Sequence, residues 1–325
     1  MTIILDPRTT GAPATAVPPV APAPSGAPEA PDWLLRHARL PLTRRVPWLL
    51  PVAVRIHRAR RRLLWWTAPL RGVRFARRPD AAARAALADP EARRAAFGVR
   101  VARHGSLLRR DLDPAEMVWQ ENKVVNLGLA GARLDGVVIR PGETFSFNRL
   151  VGEATRRRGY LPGMRLSQGR AIVGVGGGLC QLANLVHWMV LHSPLTVVER
   201  SEHSFDTFPD RGRVLPWGVG VSIVYNYVDL VVRNDTEHTF HLTVGIDEPH
   251  LRGELRSDSP LPHSYRVHAR HEEFLRYEGS VYRRNEIWRT VIDRVTGDVV
   301  GEELLKRNCA RVVYEPDPAR VRDVG

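Results

Sequence analysis

Apolar and polar positions alternate in two different rhythms along this chain, and the change comes near Glu116. The clearest helical rhythm lies at residues 180–191. There Leu182, Leu185, Val186, Met189 and Val190 recur at the spacing of one buried helix face, and Pro194 follows the end. Residues 126–132 also read as helix, with Gly131 near its end. Most of the chain beyond residue 130 has the rhythm of strands. Residues 137–140 lead through Pro141-Gly142 into 143–147, a strand, a turn and a strand: proline sets φ and glycine accepts a positive φ. Further strands are expected at 171–173, 195–199, 219–232, 239–246, 264–267, 279–291 and 299–305. Asn234-Asp235 and Thr296-Gly297-Asp298 are expected to be turns.

Before Glu116 the texture differs. Residues 7–32 are dominated by Pro, Ala and Gly, hold too little apolar surface to offset ordering entropy, and are expected to be disordered. Residues 33–115 are basic, aromatic and mainly helical in pattern. Trp33-Leu34-Leu35, Val46-Pro47-Trp48-Leu49-Leu50 and Leu63-Leu64-Trp65-Trp66 are separated by arginine clusters such as Arg58, Arg60, Arg61 and Arg62. Residues 81–96 read as one Ala/Arg-rich helix. The expected fold class is α+β: a basic helical N-terminal part, then a β-rich domain with one central helix. The expected divisions are 1–32, 33–115, an α+β core at 116–250 and a β-rich extension at 251–325. No internal repeat of fixed period is present.

Composition narrows the classes. The 325 residues are 43% hydrophobic and 26% charged, as in folded globular chains. The net charge is +13, carried almost wholly by arginine, with lysine only at Lys123 and Lys306. Such basicity attracts anionic lipid, nucleic acid or anionic cell-wall precursors. Nucleic acid ranks last, because no reader motif accompanies the charge. A basic stretch with tryptophans suits peripheral contact with an anionic membrane; the alternative is that the tryptophans pack on the domain and the arginines stay solvated. Residues 1–6 lack a positive n-region and no apolar h-region comes after them, so the expected location is cytoplasmic, with peripheral reach to the inner membrane face as the alternative. Two distant cysteines, Cys180 and Cys309, fit reduced thiols rather than a disulfide scaffold.

Candidate chemistry centres on Gly176-Gly177-Gly178-Leu179-Cys180-Gln181. The glycines permit a tight turn and close approach, and place Cys180 in the first turn of a helix. Unpaired N–H groups and the helix dipole favour a thiolate there and should lower its pKa. A nucleophile reading then takes His203 as base, Asp206 to orient it and Gln181 as a donor to an oxyanion. The other reading gives Cys180 a structural or binding role. Residues Glu121 and Asn122, with Lys123, sit at an expected helix start, as substrate contacts or as caps. A zinc site from Cys180, His187, His192 and His203 matches no familiar spacing. The glycine run lacks the lysine and Ser/Thr of a phosphate loop. Neither metal nor cofactor is expected.

Several ordered blocks resemble the VanW family, known from glycopeptide-resistance gene clusters. They are Glu121-Asn122-Lys123-Val124-Val125-Asn126-Leu127, Pro141-Gly142-Glu143-Thr144-Phe145-Ser146-Phe147 and the Gly-Gly-Gly-Leu-Cys-Gln block. With them go Glu199-Arg200 with His203, and Tyr227-Val228-Asp229-Leu230 with Arg233-Asn234-Asp235-Thr236. The similarity runs from about Arg45 to Tyr314, and includes the Arg45-Val46-Pro47-Trp48-Leu49-Leu50 start of shorter members. Members carry an acid in a strand after the histidine block, where this chain reads Gly218-Val219-Gly220-Val221-Ser222. The resemblance implies an accessory protein near peptidoglycan metabolism and vancomycin resistance. Two modes of action stay open: cysteine-dependent acyl transfer or amide hydrolysis on a cell-wall precursor, or non-catalytic binding of a cell-wall peptide at the inner membrane surface.

Overall fold

The computed structural model describes residues 49–109, 117–167, 170–201, 205–207, 209–210 and 213–324, and of 49–50, 166–167 and 170–171 the backbone alone. The expected disordered tail, Trp33-Leu34-Leu35, most of the block beginning at Arg45, and His203 lie outside them. In chain order the described helices are α1 (Leu49–Thr67), α2 (Ala81–Ala88), α3 (Pro90–Ala96), α4 (Met117–Leu134), α5 (Phe147–Val151) and α6 (Leu179–Leu191). The described strands are β1 (Arg74–Phe75), β2 (Val99–Leu107), β3 (Val137–Ile139), β4 (Glu143–Ser146), β5 (Pro162–Ser167), β6 (Arg170–Val175), β7 (Thr196–Glu199) and β8 (Phe205–Asp206). They continue with β9 (Val231–Arg233), β10 (Phe240–Asp247), β11 (His250–Ser257), β12 (His263–Tyr277), β13 (Ser280–Asp293), β14 (Val299–Val312) and β15 (Val321–Asp323). The class is mixed α+β, as the residue pattern indicates.

Three sheets and a ribbon hold these strands, in the orders β2-β11-β10-β3, β1-β4-β9-β7, β15-β12-β13-β14-β8 and β5-β6. Helix α6 is the central element: Leu182, Leu185, Val186 and Met189 are buried in the main core with Leu127, Phe145, Phe240 and Leu251. It reaches the first sheet where β11 carries Gly253, since a Cβ there would lie 2.7 Å from Met189 Cε. Pro141-Gly142 does form the turn, with Gly142 at φ 72°. That turn hands the chain between sheets: β3 pairs with β10, β4 with β9. The second strand ends at Ser146, whose hydroxyl accepts from Arg149 N at 3.2 Å and caps α5.

Several expectations need correction. The helix expected over 81–96 is two, because Pro90 cannot donate to the preceding turn and Asp89 caps the new start. The N-terminal part is less helical than its pattern suggests, because β1 and β2 complete core sheets. Glu121, Asn122 and Lys123 are not at a helix start: α4 begins at Met117, which leaves them with no N–H groups to cap. Strands β12 and β14 are much longer than expected while β13 falls within two residues of its expected bounds, and the boundary expected at 250/251 separates β10 from the strand it pairs with along its full length. Residues 219–232 are not one strand. Only Val231–Arg233 joins a sheet, while 219–223 runs extended along α6.

Candidate functional site

The glycine turn owes its shape to three different neighbours. Gly176 has φ 76°, and a Cβ on it would come within 2.5 Å of Ala154 Cβ. A Cβ on Gly177 would overlap the backbone of Gly163 in β5, and one on Gly178 (φ 95°) would overlap the stem of Lys123 in α4. Buried Asn126 ties the three parts together. Its Nδ2 donates to Leu161 O and Gly177 O, both at 3.0 Å, and its Oδ1 accepts from Leu161 N at 2.8 Å. Asn122 Nδ2 donates to Pro162 O at 2.8 Å. Asn122, Gly176, Gly177 and Gly178 are thus brought together, but by packing of α4 against the ribbon and turn. Glu121 is on the exposed side of α4, paired with Arg109 at 2.6 Å. Gln181 Nε2 donates to Ser106 Oγ and Leu107 O, both at 2.7 Å, so its two amide protons are used.

Cys180 lies in the first turn of α6 behind Gly178, as expected, and is a free thiol. Its pKa does not fall. Burial pushes the thiol up, and the Ile223 N–H directed at the sulfur and nearby Arg165 offset this only in part. The next polar positions on the same face extend the contact. Val221 N donates to Asn184 Oδ1 at 2.6 Å, and His187 Nδ1 donates to Val219 O at 2.9 Å. Burial also takes His187 down to about 3, with the Arg200 charge adding to the effect, so the ring is neutral. Cys180, Asn184 and His187 therefore hold one hydrogen-bonding edge of residues 219–223. Ser201 O accepts from Ser222 N at 2.7 Å on the other edge, and Arg200 takes Gly220 O at 3.2 Å and Gly218 O. Apart from that one backbone bond of Ser222, the segment is satisfied by side chains where a sheet would use strands.

Asp206, expected to orient His203, has other partners. Its carboxylate sits 3.2 Å from Arg283 Nη1 and accepts from Tyr314 OH at 2.9 Å, within the β8 and β14 region of the third sheet. His192 turns away from His187: its Nδ1 meets Trp188 O at 2.9 Å. Among the described residues no cluster of three or more His, Cys, Asp or Glu is arranged to hold a metal ion.

A second buried cluster was not singled out by the sequence pattern. Arg61 of α1 grips Glu199 of β7 with both terminal nitrogens, and Asp229 N donates to Glu199 Oε1 at 3.2 Å. Asp229 accepts from Ser146 Oγ at 2.6 Å, Asn148 N at 2.9 Å and Leu230 N at 2.8 Å. Burial raises the Asp229 carboxyl to about 7; Ser146 and Asn148 oppose the rise and the Glu199 charge adds to it. Glu199, Ser146 and Asp229 lie in three of the motif blocks, which was the available signal. Arg61 had none, being one of four similar arginines.

The chain matches the family described as VanW like protein over residues 122–256, a span covering both clusters except Arg61. It is 36% identical over 199 residues to the vancomycin B-type resistance protein VanW of Enterococcus faecalis, covering 61% of this chain and 72% of that protein. It is also 35% identical over 96 residues to the uncharacterized protein YoaR of Bacillus subtilis, covering 29% of this chain and 32% of that one. No solved structure matches it.

Proposed function

Because the chain belongs to the VanW family, we propose that it acts beside glycopeptide resistance by holding a peptidoglycan-precursor peptide without covalent chemistry. The observation that carries this reading is the ribbon β5-β6 in front of the glycine turn. It pairs with no further strand among the described residues, exposes Ile172 and Val173, and carries exposed Arg165 with no ion pair among those residues. An extended peptide can add to such an edge through its backbone, with side chains on alternate pockets and a terminal carboxylate on the guanidinium. The thiol of Cys180 and the amide of Gln181 are already engaged within the fold, which supports binding over acyl transfer.

Titrating the full chain with a soluble precursor stem peptide bearing a free carboxylate tests this. Arg165→Gln should weaken Kd by about ten- to a hundredfold, the loss of one charged hydrogen bond. Binding indifferent to Arg165→Gln, or no binding at millimolar peptide, would remove the reading.

Cysteine-dependent acyl transfer is the second reading, favoured by the place of Cys180 in the first turn of α6 near Arg165. Alkylation rate against pH separates the two. Slow reaction with an apparent pKa at or above the free value of roughly 8.5, unchanged in His203→Ala, accords with binding. A low pKa that rises in His203→Ala would favour the nucleophile.

A further inference from the structure

Helix α1 is built inside out. Its inner side carries a charge and aromatic rings beside half-buried Val54 and Leu64: Arg61 is buried on Glu199, the His57 ring lies 4.7 Å from Tyr227, and the Trp65 ring lies 6.3 Å from Tyr225. Its outer side is apolar. Val52, Ile56, Leu63 and Trp66 recur at helical spacing, Leu70 continues the line in the following turn, and all are exposed, Trp66 by 76% and Leu70 by 82%. Exposed Arg55, Arg58 and Arg62 flank one side of this stripe and Arg60 the other, and the sequence has no acid from residue 49 to 79. A helix that spends its charged residue on the core and presents its large apolar ones outward has an unpartnered face.

We propose that this face docks on an anionic phospholipid surface. The stripe would enter the boundary between headgroups and chains, and the flanking arginines would meet the lipid phosphates. Charge chooses the occupant. The chain carries +13 overall, so a second copy would bring arginines against arginines, whereas an anionic bilayer complements them. The helix lies on the surface, because no helix among the described residues is long and apolar enough to cross a membrane. Its 19 residues extend about 28 Å, and the buried Arg61–Glu199 pair fixes which side faces out. The proposal stands apart from the peptide-binding reading and survives its failure.

Co-sedimentation of the full chain with vesicles tests it, comparing phosphatidylcholine alone with phosphatidylcholine containing phosphatidylglycerol. The expected result is retention by the anionic vesicles, weakened by added salt. The triple variant Ile56→Gln, Leu63→Gln, Trp66→Gln should lower partitioning at least about tenfold with thermal unfolding unchanged, since all three side chains are exposed. In the wild type, brominated lipid should quench a component of the emission that Trp66→Gln removes. No preference for anionic vesicles, or retention unaffected by the triple variant, overturns the proposal. So does self-association that the triple variant abolishes without vesicle binding, which would make a second copy the occupant. Faster proteolysis within residues 1–48 in the triple variant, with no vesicle binding by the wild type, overturns it in favour of the chain's own N-terminal segment.

Discussion

Asp229 shows how much one buried carboxyl can set. Its oxygens accept from Ser146, Asn148 and Leu230, yet burial holds its pKa near 7, far above the ordinary 3.8. The folded state therefore keeps a proton that the unfolded state releases. Its stabilising effect is complete below about pH 4 and is lost as pH rises through about 7. Thermal unfolding followed from pH 4 to 8 should show Tm declining across that window, and Asp229→Asn should flatten the decline. Asp229→Ala should cost about 2–4 kcal/mol near pH 4, because it strands a hydroxyl and two backbone donors, and the cost should shrink as pH rises through about 7. At the glycine turn, Gly177→Ala must push a methyl into the backbone of Gly163. Denaturant unfolding should register a loss of about 3 kcal/mol or more, or no folded protein.

Elements here are joined by polar anchors as much as by apolar faces. Helix α1 shows this most clearly, since Arg61 is its charged link to β7. Arg61→Ala would leave Glu199 buried and unpaired, at a cost of about 3–5 kcal/mol. Hydrogen exchange should then show α1 and β7 opening before β10 and β11, since the polar partners of that pair are Tyr227 and Asp229. An Arg61→Ala protein protected like the wild type would mean that apolar contacts alone hold α1. Helix α6 uses the same device differently, docking Cys180, Asn184 and His187 against the backbone of 219–223. Cys180→Ser keeps a small polar group at that edge, so its stability should change by less than about 1.5 kcal/mol.

Across the whole molecule, strands distant in sequence share sheets. Strand β2, from the basic N-terminal part, pairs with β11, and β11 pairs with β10 of the family-matched span. A chain stopped at residue 250 loses β11 and leaves both neighbours with open edges. Near-ultraviolet circular dichroism of that truncation should show no cooperative transition, whereas one was to be expected if 116–250 were an independent core.

Local rules were enough for much of the architecture. Period and stop signals located α6, the Pro141-Gly142 turn and the Thr296-Gly297-Asp298 turn, where Gly297 takes φ 79°. They also marked Cys180 at a helix start and ordered the motif blocks, because these depend on neighbours in the chain. Tertiary structure decided the rest. Whether Cys180 ionises depends on burial by the folded chain, which outweighs the helix terminus and the N–H of Ile223, 43 residues away. Whether Gly176, Gly177 and Gly178 face a ligand or a neighbour depends on Ala154, Gly163 and Lys123. Which arginine among Arg58, Arg60, Arg61 and Arg62 turns inward depends on Glu199. Periodicity reports that a helix has an apolar face but not which way the face points, and for α1 only docking through Arg61 turned that face outward.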